Sequence, residues 1–290
     1  MGLRVQICPI GFEFKRVLAG LKYRPPNVIY LLSSKIEIQD YAIRNGKYQL
    51  DEKLAKLSQE FTDKLEKHLK PQLYMDIKVQ ECSFTNYRKV IEQLCDIIKE
   101  IFDYESKNEV IDEIWFNIGT ATKLFVSAAQ YIASFRADKI HLFYVRAHNY
   151  TINELLLEES SKEDVEKLFR EEGMSYSKVS LDKDYSLEKM PIVPSQRLTD
   201  QANNILKILL TKSETQWVSL ATILSEIERD LEGNPRDQTK SMKMKYHHYI
   251  KQLKNNRLIE EDSSQKRHRQ YKLTEEGIIY ALIISKIPLK

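Results

Sequence analysis

The stretch Val110–Val145, VIDEIWFNIGTATKLFVSAAQYIASFRADKIHLFYV, leaves few options for the fold. Ile111–Phe116 is an apolar run rich in isoleucine and aromatics, and the chain breaks at Asn117-Ile118-Gly119-Thr120. From Thr122 onward Leu124, Phe125, Ala128, Ala129 and Ile132 recur at helical spacing, and Ile140–Val145 returns to a buried-strand pattern. Strand, turn, helix and strand make a βαβ unit with parallel strands and a right-handed crossover. The turn leaves Gly119, Thr120, Ala121, Thr122 and Lys123 at a helix N-terminus, where free N–H groups and the helix dipole favour an anion. In this reading the N–H groups of Gly119–Thr122 cradle a phosphate, Lys123 neutralises it, and Asn117 hydrogen-bonds a ribose or a base.

The rest of the first two thirds repeats the alternation. Leu3–Ile10 and Asn27–Leu32 read as buried strands, with a helix to about Leu21 between them. Asp51–Leu69 is an amphipathic helix with Leu54, Leu57, Phe61 and Leu65 on its apolar stripe, and Pro71 stops it. Leu73–Val79 reads as a third strand and Asn86–Phe102 as a further amphipathic helix. Ile36–Leu50 carries no clear periodicity; Tyr150–Glu172 is acidic with a helical pattern, and Ser175–Val193 reads as an edge strand or hairpin. The predicted fold class is therefore α/β, a Rossmann-like, mostly parallel sheet with flanking helices. Such sheets bind ligands beyond the carboxyl ends of their strands. Three turns qualify: Ile10–Phe14, with Gly11 and Phe12; Ser33–Lys35, with Ser33 and Ser34; and Asn117–Lys123. No GxGxxG and no GxxxxGK[ST] occurs, so neither a nicotinamide fingerprint nor a P-loop is present.

Charge separates the two ends of the 290-residue chain. Residues 1–194 hold 28 Lys+Arg against 30 Asp+Glu, a net of −2, whereas residues 195–290 hold 17 against 12, a net of +5. Within Arg236–Lys272 the count is 11 against 4, an excess that suits a polyanion. That C-terminal part carries helix patterns at Thr199–Leu210 and Val218–Leu231, where Ser219 is a candidate cap. A third helix follows the Gly233-Asn234-Pro235 turn and runs to about Asn255. Two short strands, Arg257–Asp262 and Gln270–Thr274, then flank a basic tip, and a last helix covers Ile278–Ser285. Three helices, a two-stranded wing and a closing helix predict a winged helix-turn-helix. Its DNA-binding candidates are Lys240, Ser241, Lys243, Met244, Lys245, His247 and Lys251 on the third helix, of which Lys240, Ser241, Lys243 and Met244 lie in the front half where base contacts arise, and Lys266, Arg267, His268 and Arg269 in a wing that contacts phosphate or the minor groove.

Two resemblances follow from these motifs. YIKQLKNNRLIEED (249–262) and YKLTEEG (271–277) look like the winged helix-turn-helix regulators of the MarR and ArsR type. PIGFEF (9–14) and NIGTATK (117–123) resemble the ligand loops of the CRISPR-associated Rossmann-fold (CARF) sensors, especially archaeal regulators that join such a domain to a winged helix. Asn117 and Lys123 match the Asn/Asp and the Lys/Arg six residues on that family members carry, while Gly119-Thr120 stands where Thr-Gly-Gly or Ser/Thr is usual. The resemblance implies a homodimer whose ligand loops meet across a two-fold axis and bind a cyclic oligonucleotide, cyclic tetra-adenylate in particular. It also implies an output on double-stranded DNA. The expected organisation is a sensing domain at 1–150, an acidic connecting segment and linker at 151–196, and a winged helix-turn-helix at 197–290.

The expected function is a ligand-responsive transcriptional regulator. The alternatives are a ring nuclease cleaving cyclic oligoadenylate and a regulator of some other small anion. For the ring nuclease, Thr120, Thr122 and Lys123 would position a 2′-hydroxyl and stabilise a phosphorane. Neither catalytic residues nor a cofactor or metal is expected: Arg136 and His141 have the spacing of an RNase motif but straddle a turn, and the other histidines lack metal spacing. Cys8, Cys82 and Cys95 lack CxxC spacing and read as buried thiols of a reducing compartment. With a strand starting at Leu3 and no apolar run near the roughly 20 residues of a membrane span, a cytoplasmic protein without membrane contact is expected.

Overall fold

The computed structural model describes residues 2–11, 14–35, 48–71, 75–104, 110–147, 185–195, 198–212, 216–230, 239–262, 264 and 269–288. They form two compact units, Met1–Leu94 with Glu100–Ser195, and Cys95–Lys99 with Gln196–Lys290.

The N-terminal part runs β1 (Leu3–Pro9), α1 (Phe14–Tyr23), β2 (Val28–Ser34), α2 (Tyr48–Leu69), β3 (Asp76–Cys82), α3 (Tyr87–Asp103), β4 (Ile111–Asn117), α4 (Lys123–Phe135), β5 (Ile140–Ala147) and β6 (Tyr185–Met190). The six strands form one sheet in the order β3-β2-β1-β4-β5-β6. The first five are parallel, and β6 closes the edge antiparallel to β5. This is the mostly parallel, Rossmann-like sheet that the alternation predicts. Ile29–Leu32 is buried throughout, as a strand covered on both faces must be, whereas the edge strand β3 exposes Asp76, Val79 and Glu81. On one face, Val17 and Leu21 of α1 and Phe61, Leu65 and Leu69 of α2 pack on Cys8, Ile10, Ile29 and Leu31. Neighbouring residues of β4 divide the faces. Trp115 packs on Ala19 of α1, and Phe116 meets the Phe125 ring of α4 edge-on at 6.0 Å.

Two details differ from the pattern in the sequence. The third strand is described over Asp76–Cys82 and runs past the expected end at Val79, because its pairing with β2 continues to Ser34; the expected start at Leu73 lies outside the described residues. β6 arises inside the stretch 151–196 read as a connector, and it is the edge strand anticipated for Ser175–Val193. The acidic stretch Tyr150–Glu172 and most of Ile36–Leu50 lie outside the described residues.

The second unit contains α5 (Asp200–Lys212), β7 (Val218–Ser219), α6 (Leu220–Asp230), α7 (Thr239–Asn255), β8 (Ile259–Glu261), β9 (Gln270–Leu273) and α8 (Glu275–Lys286). Here the expectation of a helix from Val218 and of two strands needs correcting. Val218 and Ser219 pair with Tyr271 and Gln270, so the small antiparallel sheet has three strands in the order β7-β9-β8. Ser219 does cap the helix that follows, its Oγ accepting from the Thr222 N–H at 3.1 Å. The Leu-Thr-x-x-Gly motif acquires a physical meaning at the start of α8. The Thr274 hydroxyl accepts from the Gly277 N–H at 2.9 Å and donates to the Arg257 carbonyl at 2.7 Å. The Thr274 N–H reaches the Leu258 carbonyl at 3.2 Å. Arg257 turns the chain there in the left-handed region, with φ of 56°. A Cβ on Gly277 would lie 1.9 Å from the Leu258 carbonyl oxygen, so only glycine lets α8 seat against the residue that leads into β8.

Two outcomes are expected. Gly277→Ala should lower the stability of the second unit by about 1–3 kcal/mol, the usual cost of overpacking, read as a shift in the denaturant midpoint; an unshifted midpoint contradicts the close approach. Cys8, Cys82 and Cys95 are buried free thiols, and burial pushes the Cys8 thiol far above its ordinary pKa. A disulfide reagent at mildly alkaline pH should therefore titrate none of the three in the native protein and all three in denaturant.

Candidate functional site

The order β3-β2-β1-β4 places the switch in strand order between the parallel strands β1 and β4, whose carboxyl-end loops lie side by side. The Thr120 hydroxyl donates to the Pro9 carbonyl at 2.6 Å, joining the two loops directly. A Cβ on Gly11 would come within 2.8 Å of the Thr120 carbonyl oxygen, so the approach depends on glycine. Of the predicted residues, the fold thus brings Gly11 and Asn117–Lys123 together.

Each residue of the β4 loop has a distinct place. Asn117 is buried at 2% exposure, and its Oδ1 accepts from the Gly119 N–H at 3.2 Å, shaping the turn from beneath. Its Nδ2 lies under α1, 2.3 Å from where a Cβ on Gly20 would be. The turn continues with the Ala121 N–H donating to the Ile118 carbonyl at 3.3 Å. Thr122 is the N-cap of α4, its Oγ1 accepting from the Phe125 N–H at 3.2 Å. That bond satisfies one of the first-turn donors and leaves the N–H groups of Lys123 and Leu124 as the outward ones. Lys123 itself is exposed at the mouth of the crevice. Both threonine hydroxyls are therefore engaged, Thr120 across the crevice and Thr122 at the helix start.

The β2 loop is tied to the β1 loop by a residue that periodicity does not reveal. Ser58 of α2, buried, accepts from the Ser34 N–H at 3.0 Å and donates to the Ile10 carbonyl at 3.1 Å. Ser33 is buried, and its hydroxyl is directed to the Gln80 carbonyl of β3 at 3.5 Å. Phe12 lies outside the described residues.

Arg16 is the second residue that the sequence reading passed over. It sits in the first turns of α1, only 4% exposed, and donates from Nη1 to the Gly119 carbonyl at 2.7 Å and the Tyr144 hydroxyl at 3.1 Å. Its guanidinium also lies over the Tyr144 ring at 5.6 Å. A buried cation is thus fastened to the backbone of the glycine turn, where it adds positive potential beneath the crevice. An arginine near a helix start is a weak signal in sequence, since its partners are 103 and 128 residues away.

Arg136 and His141, the RNase-like pair in sequence, occupy different surroundings. Arg136 is buried against the Phe102 ring of α3 at 4.6 Å and held by Asp138 at 2.9 Å, while the His141 ring lies tilted against Trp115 at 4.7 Å, on the α1 face of the sheet. Among the described residues no group of three or more His, Cys, Asp or Glu is placed to hold a metal ion, and no helix is long and apolar enough to cross a membrane.

In the second unit, α7 buries Tyr246, Ile250 and Leu253 and exposes His247, His248, Lys251 and Lys254 on its other side. Lys254 pairs with Glu261 of β8, which Arg269 also approaches at 3.6 Å; Arg269 is exposed beside β9. The backbones of Lys240, Ser241, Lys243, Met244 and Lys245 belong to the same helix. Lys266, Arg267 and His268 fall outside the described residues.

Three solved structures give the scale of similarity to known proteins. Enterococcus italicus Csm6 bound to cyclic hexa-2′-fluoro-hexa-dAMP aligns at 11% identity and a TM-score of 0.36, over 89% of this chain and 57% of that one. Can2 from Sulfobacillus thermosulfidooxidans in complex with cyclic tetra-adenylate aligns at 18% identity and a TM-score of 0.31, over 49% of this chain and 32% of that one. Protein VC1899 from Vibrio cholerae aligns at 10% identity and a TM-score of 0.33, over 96% and 64%. The chain thus spans less than two thirds of the length of each. No curated protein matches. Residues 4–150, from the first strand through the β4 loop and β5, match the family described as "HFX_2341_N:-like, N-terminal", and the chain belongs to that family.

Proposed function

We propose that the chain is a sensor of a cyclic oligoadenylate whose second unit acts on duplex DNA. The observation that carries the sensing half is the bond between the Thr120 hydroxyl and the Pro9 carbonyl, which holds the β1 and β4 loops together at the switch point of the sheet. α/β sheets take their ligands at that point. The chemistry available there suits a phosphodiester: outward N–H groups at the start of α4, the exposed Lys123 ammonium and the buried Arg16 guanidinium beneath the turn. The adenylate ring is the ligand class implied by the PIGFEF and NIGTATK motifs. Csm6 and Can2, with which the chain aligns, were solved with cyclic adenylate-type ligands. A cyclic ligand has internal symmetry, and two copies of the crevice meeting about a two-fold axis would match it.

For the DNA half, the supporting observation is α7 itself. It buries one face in its own unit and turns His247, Lys251 and Lys254 outward, within the stretch holding 11 basic against 4 acidic residues. In this reading α7 lies in the major groove, β8 and β9 form the wing, and the unit is a winged helix-turn-helix. Ligand capture between the loops shifts the equilibrium between two placements of the DNA-binding units.

Isothermal titration of cyclic tetra-adenylate into the protein tests the first half. Lys123→Ala should weaken binding about tenfold, the loss of one charge-assisted contact. Absence of saturable binding rejects the sensor reading, and linear adenylates among the products assign a ring nuclease instead. For the second half, Lys251→Glu combined with Arg267→Glu should reduce duplex affinity and flatten its dependence on salt. If affinity and salt slope stay as in the unaltered protein, the basic face does not contact DNA.

A further inference from the structure

At the opposite end of the sheet from the β1/β4 crevice, beside the start of β5 and the end of β6, lies a cavity of about 350 Å³. Ala137, His141, Lys189, Met190, Pro191 and Ile192 line it. Behind them is Trp115 of β4, 3% exposed, with the His141 imidazole 4.7 Å from its ring. Two cations converge on the same indole, the Arg24 guanidinium at 4.6 Å and the Lys189 ammonium at 5.4 Å. Neither forms an ion pair among the described residues. The indole N–H is buried and also lacks a hydrogen-bond partner among them. A buried donor without an acceptor therefore stands beside two exposed cations that form no direct ion pair, and an anionic acceptor would answer all three.

We propose that this cavity binds a small organic anion, its acidic group held by Lys189 and His141 and its compact apolar body against Met190, Pro191 and Ile192. The lining supplies both halves of such a ligand, since apolar side chains with a few convergent polar groups are what small-molecule sites are made of. His141 adds a pH dependence. Burial, then the Lys189 charge, hold its imidazole below the ordinary value. The charged groups that act on it are Lys189 on β6, Glu113 on β4, Arg24 after α1 and Asp138 in the turn before β5. A bound anion favours the imidazolium and raises that value, so binding takes up a proton and tightens as the pH falls.

The experiment uses the full chain. Of its two tryptophans, Trp217→Phe leaves Trp115 as the single fluorophore. Titration with benzoate and with phenyl phosphate should give a saturable fluorescence change with at least one, and which one binds tighter distinguishes a carboxylate from a phosphate monoester. Neutral benzamide should give none. Lys189→Gln should weaken binding about tenfold by calorimetry, and affinity should rise between about pH 8 and about pH 6. Lys189 and Arg24 are exposed, so Lys189→Gln and Arg24→Gln should fold normally, checked by circular dichroism. Three results overturn the proposal: no saturable change with either anion, benzamide binding as well as benzoate, or unaltered affinity in both variants. Cyclic tetra-adenylate binding should be unchanged in Lys189→Gln, so failure here leaves the crevice at the other end untouched.

Discussion

The parallel pairing of β1 with β4 is the constraint on which the candidate site depends. Residues more than a hundred positions apart in the chain, such as Ile7 and Phe116, become register partners there. The loops that leave these two strands inherit that proximity. β1 pairs with β2 on its other side, so the strand order reverses at this pair and leaves a crevice that no crossover helix fills. Everything else at the site adjusts what the pairing has already placed. Asn117 shapes the turn from below, Arg16 holds its carbonyl from the side, and Thr122 starts the helix whose N-terminus faces the opening.

How much of this could be read beforehand follows from the range of the interactions involved. The βαβ unit of residues 110–145 was legible because a buried parallel strand needs a continuous apolar run and a crossover helix needs an apolar stripe, and both are local patterns. The cap Ser219 was equally local, since its hydroxyl reaches only three residues ahead to the Thr222 N–H. Arg16 and Ser58 were not legible. Each works through a partner brought close by the sheet, and an arginine or a serine inside an amphipathic helix looks like any other polar position. β7 was missed for a related reason: two residues are too few for a period, and only the presence of Tyr271 beside Val218 makes them a strand.

The second unit shows the same division. Its first helix follows its apolar spacing, while the closing helix begins at Glu275, three residues before the expected Ile278, because Thr274 of the Leu-Thr-x-x-Gly motif caps it. The reason for the motif lies outside it, in the Leu258 carbonyl that occupies the space a side chain at Gly277 would need. A pattern of residues in sequence was here the imprint of a close backbone approach between α8 and Leu258, just before β8.

The bonds that join the site's loops share a property with a broader consequence. Thr120 to Pro9, Ser58 to Ile10 and Arg16 to Gly119 are each a side chain donating to a main-chain carbonyl. A carbonyl acceptor is present whatever residue carries it. The crevice is therefore fastened through acceptors that no substitution removes, while the three donors must stay; Ile10 is held in addition by the core it packs into. Drift in the lining of the crevice, and with it in what the crevice recognises, can proceed without loosening the frame that holds it open.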